Sequence, residues 1–412
     1  MEEHLKPMPI KQKFLTPGVW ALIIIAAFGM TALLLRYILG IGAITNLSNQ
    51  YPWGIWIGLD VALGVALAAG GFTTAALGHI LHKDKYHAIV RPALLTAALG
   101  YTFVAVSVMT DLGRWYYIWH PLIMWNGNSA LFEVGICVMI YLTVLYIEFL
   151  PIVAERFIGK VNLPGFLSKL NNPIDKFLRF LDRVLDKTMF IFIIAGVVLS
   201  CLHQSSLGTL MIISGQKMHP LWQTPVLPLL FLLSAISVGF PMVIFESIIS
   251  SRSFKLKPET DVLRGLADII GPLLAIYLAF KIGDMVIRKS FVYLMEVNTV
   301  SVLYTIELVV GIIVPLRMFF SRTLTKSIPG LFIASSLVIL GVLLNRLNNF
   351  VVAYTPPYAT SAYVPSVGEI LVTLGFVALE VLIYRAAVMI FPVISQPKPA
   401  ASVSKYSAKG VQ

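Results

Sequence analysis

Ten long apolar stretches dominate the sequence and restrict what the chain can fold into more than any other feature. Each is long enough to cross a bilayer, which takes about 20 residues in a helix. Inside hydrocarbon every backbone N–H and C=O must be bonded within its own element, so each stretch is predicted to be helical. The predicted spans are residues 17–40, 54–81, 90–112, 130–155, 188–210, 226–250, 261–288, 298–319, 329–350 and 366–391.

The composition agrees with a membrane protein. The 412-residue chain is 58% hydrophobic and 12% charged, which is far too apolar for a soluble domain. We therefore predict an all-α, polytopic fold with ten transmembrane helices. A weak repeat favours a finer arrangement, because Trp53 and Trp222 precede the second and sixth spans while Glu133 and Glu307 lie early in the fourth and eighth. It predicts two parallel four-helix bundles, with the first and tenth spans outside them.

Basic side chains are distributed unevenly between the two sides of the predicted membrane domain. If the N-terminus is cytoplasmic, most of the 31 Lys and Arg residues fall on the cytoplasmic side, as the positive-inside rule requires. The sequence thus predicts a multi-pass protein of the cell inner membrane with both termini in the cytoplasm. The same bias explains the net charge of +11 without a nucleic-acid partner.

Four segments are predicted along the chain. Residues 1–16 form a cytoplasmic N-terminal segment, and residues 17–391 form the ten-helix membrane domain. Within that domain, residues 156–187 alternate apolar and basic side chains, which predicts an amphipathic helix on the cytoplasmic lipid headgroups. Residues 392–412 are rich in Pro, Ser, Ala and Lys and are predicted to be a flexible cytoplasmic tail.

No residue pattern indicates a redox centre that belongs to this chain. Cys137 and Cys201 lie in separate spans without a CxxC spacing, which argues against an iron–sulfur cluster or a metal site. A b-type haem usually needs two axial His ligands. The two His residues within spans, His79 and His203, are predicted to lie about 15–20 Å apart along the membrane normal. We therefore expect no intrinsic haem, cluster or metal.

Aromatic residues gather on the predicted outer side of the membrane. An interfacial aromatic belt explains part of this distribution, whereas a surface that docks another protein explains its one-sidedness, because aromatics are enriched in interface cores. Both interpretations stay open. The tryptophans on this side are Trp53, Trp56, Trp115, Trp119, Trp125 and Trp222.

A group of polar residues is predicted in the outer half of the membrane. Glu133 lies early in the fourth span, and a carboxylate in hydrocarbon is costly unless it is protonated, paired or wetted, which makes it a functional-site candidate. Because chain direction alternates, polar residues of the second, third and fifth spans are predicted to reach the same layer. These residues are Asp60, Tyr101, Asp111, Arg114 and His203.

This combination of side chains suits the headgroup of a quinone. The two carbonyl oxygens need hydrogen-bond donors, and the protons released when a quinol is oxidised need a nearby base. His203 and Tyr101 are predicted to hold the oxygens. Glu133, together with Asp60, is predicted to accept a proton.

Asp111 and Arg114 complete the predicted quinone-binding set at the end of the third span. Structural interpretations compete with these functional ones. His203 could belong to a hydrogen-bonded cluster that only joins helices. Asp111 and Arg114 could form an interfacial ion pair that orders the following loop.

Glu246 and Glu380 lie in the cytoplasmic half and are predicted to carry protons toward the outer site. Roughly 15–20 Å of the core separates Glu133 from Glu246, so a proton would need waters or hydroxyl side chains between them. The alternative is that these acids pair with Lys or Arg at the helix ends.

Short motifs along most of the chain resemble a known family. They are Tyr51-Pro52-Trp53-Gly54, Gly100-Tyr101, Asp111-Leu112-Gly113-Arg114, Asn128-Ser129-Ala130-Leu131-Phe132-Glu133, His203-Gln204-Ser205-Ser206 and Phe245-Glu246. Together they resemble the NrfD/PsrC-type integral membrane subunits that interact with quinones, in particular the ten-helix, HybB/DsrP-like branch.

The resemblance implies a haem-free subunit of a respiratory redox complex that is not active as an enzyme alone. It would bind menaquinone or menaquinol near the outer face and exchange electrons with a ferredoxin-like iron–sulfur subunit docked there. The resemblance also implies that the same complex contains a hydrogenase or a multihaem cytochrome c as another partner. The resemblance also implies roles in quinone or proton handling for Tyr101, Glu133, His203 and Glu246.

Two other classes of function stay open. The intramembrane carboxylates could belong to a secondary transporter, in which they bind a substrate or a coupling ion. Broken helices and an inverted repeat would favour that class, whereas the repeat in this sequence is parallel. The chain could also be a non-catalytic membrane anchor of an electron-transfer complex.

Overall fold

The computed structural model describes residues 5–80 and 84–397. Within them, ten helices are long and apolar enough to cross a membrane, which confirms the predicted all-α, multi-pass fold. Residues 1–4 and most of the predicted tail, from residue 398 onward, lie outside the described residues. In chain order the spans are Pro17–Leu39, Trp56–Gly78, His87–Asp111, Ala130–Phe157, Leu167–Ile213, Leu227–Ser253, Thr260–Ile287, Thr299–Phe320, Ile328–Val352 and Val367–Ile390.

Polar caps fix where several spans begin. The Ser129 side chain accepts a hydrogen bond from Phe132 N and so starts the fourth span, which places Glu133 in its first turn. Ser366 and Glu369 form a reciprocal capping box at the start of the tenth span. Such caps satisfy backbone N–H groups that have no partner inside the helix.

The first and last described segments of the chain meet on one face of the protein, which we call the terminal face. Leu5–Pro7 pairs antiparallel with Ser395–Pro397. Next to this short ribbon, the Arg385 guanidinium donates to the carbonyl of Lys13 at 2.9 Å and to that of Phe14 at 3.1 Å. The opposite face carries residues 115–125, which we call the aromatic loop. We call this face the aromatic face.

The first and tenth spans pack closely against each other. A Cβ atom added at Gly29 would lie 2.5 Å from Gly375 Cα, so the two backbones approach as far as glycine allows. This contact agrees with a flanking position for both spans. The buried apolar clusters draw on residues of both proposed bundles, and the division into two four-helix bundles stays a prediction.

The fifth span is much longer than the sequence predicted. Its α-helix runs from Asn171 to Ile213, about 65 Å at 1.5 Å per residue, so most of the predicted amphipathic segment 156–187 belongs to the same helix. A separate helix was expected because basic residues interrupt the apolar run before residue 188. No glycine or proline breaks the helix there, since Pro173 lies in its first turn. Contact of this extension with lipid headgroups stays a prediction.

The aromatic face differs from the sequence prediction at two tryptophans. Trp56 and Trp222 are buried, and their indole N–H groups donate to Glu369 O at 3.2 Å and to Glu307 Oε2 at 3.0 Å. The exposed aromatic surface is instead formed by the aromatic loop. Its members include Trp115, Tyr116, Tyr117, Trp119 and Trp125.

Candidate functional site

Tyr101 and His203 meet in the interior of the protein. Both side chains are fully buried, and His203 Nδ1 lies 3.2 Å from the Tyr101 hydroxyl. Each residue lies ten positions before the aromatic-face end of its span, which is about 15 Å of helix. Tyr141 packs edge-on against Tyr101 with ring centroids 4.5 Å apart. The third, fourth and fifth spans therefore converge on one buried polar pair.

Glu133 is linked to the same helix face through a serine. Ser206 Oγ donates to Glu133 Oε1 at 2.5 Å, and Ser206 lies three residues, nearly one turn, beyond His203. Glu133 itself is exposed on the protein surface, about 5 Å of helix from the start of its span. That these residues share one depth in the membrane stays a prediction. These residues form a line that descends from Glu133 at the surface to His203 and Tyr101 in the interior.

Several polar atoms beside this line have no hydrogen-bond partner among the described residues. They are His203 Nε2 and both amide atoms of Gln204, and both side chains are fully buried. Buried polar atoms are almost always paired in native proteins. Waters or a ligand with oxygen acceptors and donors would satisfy them.

Asp60 and Asp111 belong to a second polar group that faces the first and tenth spans. Asp60 Oδ2 accepts a hydrogen bond from Thr373 Oγ1 at 2.9 Å. Arg36, fully buried in the first span, donates through Nε to Thr110 O at 2.6 Å and interacts electrostatically with Asp111. These acids were predicted to lie with Glu133, because the sequence carries no signal that the tenth span is a neighbour of the second.

Arg114 lies outside both groups. It is exposed directly before the aromatic loop, and in the described part of the chain it forms no ion pair with Asp111. The proposed Asp111–Arg114 pair was therefore wrong. Asp111 instead interacts electrostatically with Arg36, which is buried in the first span.

The two predicted inner acids continue the line toward the terminal face. By helix rise, Glu246 and Glu380 lie about 10 Å and 15 Å from the terminal-face ends of the sixth and tenth spans. Glu380 Oε1 lies close to Gly100, since a Cβ there would be 3.5 Å away, and Gly100 precedes Tyr101. Neither acid forms an ion pair with Lys or Arg in the described range, so the helix-end alternative was wrong.

A third buried network, in the sixth to ninth spans, was not predicted. Lys281 forms an ion pair with Glu307, and both are buried. The same carboxylate accepts from Trp222 Nε1 at 3.0 Å, Asn345 Nδ2 at 2.8 Å and Asn348 Nδ2 at 2.7 Å. The available signal was a lysine within an apolar span, which needs a buried partner.

Comparison with known proteins places the chain in a family. The sequence profile described as "Polysulphide reductase, NrfD" matches residues 43–355, about three quarters of the chain. The chain belongs to the NrfD family. This match contains Tyr101, Glu133, His203 and Glu246, and the Lys281–Glu307 network as well.

Three relatives of this NrfD-family chain carry informative names. The "Probable Ni/Fe-hydrogenase 2 b-type cytochrome subunit" of Escherichia coli (strain K12) is 32% identical over 94% of this chain and 95% of its own length. The "Menaquinone reductase, integral membrane subunit" of Nitratidesulfovibrio vulgaris is 28% identical over 60% and 56%. The "Hdr-like menaquinol oxidoreductase integral membrane subunit" of Archaeoglobus fulgidus is 22% identical over 90% and 92%.

The first of these names raises the question of a haem in this NrfD-family chain. Among the described side chains, His203 is the one fully buried imidazole, and its Nδ1 is engaged with Tyr101. No second buried imidazole of the described set faces it. The described residues therefore do not fit a bis-histidine haem, and the absence of haem stays a prediction.

Proposed function

We propose that this chain is the quinone-interacting membrane subunit of a respiratory oxidoreductase complex. Menaquinol or menaquinone would bind between the third, fourth and fifth spans, beside Glu133 and His203. The observation that carries the proposal is the Glu133–Ser206–His203–Tyr101 line together with the unpartnered atoms of His203 and Gln204. The names of the menaquinone- and menaquinol-linked relatives support it.

In this proposal, each side chain has a separate role in quinol oxidation. The Nε2 atom of His203 and the amide of Gln204 hold the oxygen atoms of the headgroup, and Tyr101 fixes the imidazole through Nδ1. Loss of two electrons from a quinol releases two protons, and the exposed Glu133 carboxylate accepts one of them, as a general base must lie near the proton it takes. Quinone reduction would use the same groups in reverse.

Asp60 and Asp111 would act from the neighbouring polar group rather than at the headgroup itself. Asp60 is held by Thr373 and Asp111 lies near Arg36, so both are positioned by the first and tenth spans. We propose that Asp60 serves as a second proton acceptor. Arg114, exposed directly before the aromatic loop, is better suited to contact a partner protein or a lipid headgroup.

Protons would cross between the two faces along the inner acids. Intermediate polar groups would divide the distance between Glu133 and Glu246 into steps of roughly 5–10 Å along the membrane normal, by helix rise. These groups are Glu380, Tyr101 and His203. We propose that waters bridge these steps, because direct hydrogen bonds do not connect the acids to Tyr101.

Electrons would leave through the aromatic face. We propose that a ferredoxin-like iron–sulfur subunit docks on the aromatic loop, and that a hydrogenase or multihaem cytochrome c lies beyond it. The excess of basic residues on the terminal face supports a cytoplasmic location for that face in the cell inner membrane. The chain alone would then show no enzyme activity, because the acceptor cluster belongs to the partner.

A transporter or a passive anchor is a competing function. In either case, purified protein would hold no quinone, and substitutions along the Glu133–His203 line would not change electron transfer. Quinone extraction from the purified complex separates these classes. An absorption spectrum of the same material tests the haem prediction, because a Soret band assigned to this subunit would contradict it.

The mutational test is Glu133→Gln in the intact complex. We expect quinol-linked electron transfer to fall by about 100-fold or more, the scale of a lost general base, while the complex assembles normally. Glu296→Gln is the matched control, since it removes an exposed carboxylate from another loop of the aromatic face. Unchanged turnover in Glu133→Gln would remove this residue from the proposed chemistry.

A further inference from the structure

A cavity of about 60 Å³ lies at the terminal face between the third, sixth and tenth spans and the loop before the seventh. Glu246 lies on the side of the cavity toward the protein interior, and the loop before the seventh span lies on the side toward the solution. The polar and charged side chains on its wall include Glu246, Ser250, Lys257, Glu259 and Tyr384. Ser395 of the terminal ribbon also lines it, so the ribbon helps to enclose the space.

The Tyr384 side chain lies close enough to Glu246 and Ser250 to interact with both. Four buried polar atoms on this wall nevertheless form no hydrogen bond of normal geometry among the described residues. They are Glu246 Oε1, Ser250 Oγ, Glu259 Oε2 and the Tyr384 hydroxyl. A buried water needs about 10–15 Å³ of such space and two to four polar partners. The cavity therefore has room for about four waters, and the unpartnered atoms are the groups that waters would bind.

We propose that Glu259 exchanges protons between the solution at the terminal face and Glu246, through waters in this cavity. The inference rests on the proposed function, because it supplies the terminal-face end of the proton line that begins at the quinone site. Nothing in the sequence analysis singled out Glu259, which precedes the seventh span and lies 13 residues after Glu246 in the chain.

The position of Glu259 suits this role. It lies at the membrane boundary, just outside the seventh span, where solution can reach one side of it. Burial raises the pKa of its carboxyl group, which makes protonation easier at neutral pH. In the described range it forms no ion pair, although Lys257 lines the same cavity. A permanent cationic partner would hold the carboxyl group in its deprotonated form and make it a poor proton carrier.

The transfer involves protons only. A solution water or hydronium gives a proton to Glu259, and one O–H bond breaks as the carboxyl O–H forms. Glu259 then gives this proton to a cavity water, which passes a proton to Glu246. No electrons move, and the same steps run in reverse for release.

The test uses the intact complex with Glu259→Gln and measures quinone-linked turnover with and without small weak acids such as formic acid and hydrazoic acid. We expect turnover to fall by about 100-fold, the low end of the range for a lost proton-transfer group, and to recover when a weak acid carries protons to Glu246. Asp261→Asn is the matched control, because the Asp261 side chain is 95% exposed and lies two residues away. Its turnover should match the unmodified complex.

Ala88→Leu provides a second, independent variant. Ala88 lines the cavity, and a larger apolar side chain would displace waters without removing any charge. We expect it to slow turnover in the same way. Unchanged turnover in Glu259→Gln, or a loss that weak acids do not restore, would overturn the inference. Absence of quinone-linked turnover in the unmodified complex would instead contradict the proposed function.

Discussion

At the scale of single residues, the Lys281–Glu307 pair shows how the apolar spans tolerate charge. An isolated ion in a low-dielectric interior costs several kcal/mol, and the cost is offset only when the partner geometry satisfies every donor and acceptor. Glu307 accepts from four donors, namely Lys281, Trp222, Asn345 and Asn348. An ionised carboxylate has about four acceptor positions, so this one is fully satisfied.

This network predicts strong coupling between its two charges. Lys281→Met should lower the free energy of unfolding by about 3–5 kcal/mol, because Glu307 would remain buried without its cation. The double variant Lys281→Met/Glu307→Gln should lose less than the sum of the single changes. Thermal unfolding in detergent measures both, and Lys176→Met, at an exposed position, is the control. Strictly additive losses would contradict the coupling.

Sequence reasoning predicted individual residues better than their partners. Tyr101 and His203 were expected together, because alternating chain direction brings polar residues of the third and fifth spans into the outer half of the membrane, and the structure joins them. The Lys281–Glu307 contact joins the consecutive seventh and eighth spans, and the lysine within an apolar run was a signal for it. The contact of Asp60 with Thr373 could not be predicted, because it joins the second and tenth spans. Which helices become neighbours depends on packing between spans distant in the chain, and apolar runs carry little of that information.

At the scale of helices, the apolar runs predicted the spans well. The fourth was expected at 130–155 and is Ala130–Phe157, and the tenth was expected at 366–391 and is Val367–Ile390. Both have polar caps at their starts, which mark the boundary in the sequence. The fifth was missed at its N-terminal end, because an amphipathic helix continues past the point where the apolar run stops.

The crossing of the first and tenth spans gives a prediction at this scale. Gly375→Leu should separate the two helices and destabilise the protein by about 1–3 kcal/mol, or more, because the added side chain meets the backbone of Gly29. Gly18→Leu in the first span is the control, since a Cβ there meets nothing within 4 Å. Equal unfolding temperatures for the two variants would contradict a tight crossing.

At the scale of the whole molecule, the two faces differ in what they offer to other proteins. The aromatic loop exposes a continuous set of large side chains, and Trp125 is 77% exposed. Exposed apolar patches of this kind mark interaction sites or membrane contacts. The terminal face instead carries the terminal ribbon and the cavity that leads to Glu246.

This asymmetry predicts where the partner subunit binds. Trp125→Ala should weaken copurification of the electron-accepting subunit, with a loss of about 2 kcal/mol or about 30-fold in affinity if Trp125 is an interface anchor. The isolated chain should unfold at an unchanged temperature, because Trp125 packs against little of it. Val297→Ala, at a 92% exposed position of another loop, is the control. Equal copurification of both variants would place the partner elsewhere.

The meeting of the first and last spans has a consequence for biosynthesis. A ribosome delivers Pro17–Leu39 first and Val367–Ile390 last, yet these helices are neighbours, and Asp60 obtains Thr373 only from the last one. During synthesis the early helices must therefore wait in the translocon or the lipid with polar groups unsatisfied. The ribbon between Leu5–Pro7 and Ser395–Pro397 can close only after residue 397 has been synthesised. A chain truncated before residue 395 would therefore leave Leu5–Pro7 without its pairing partner.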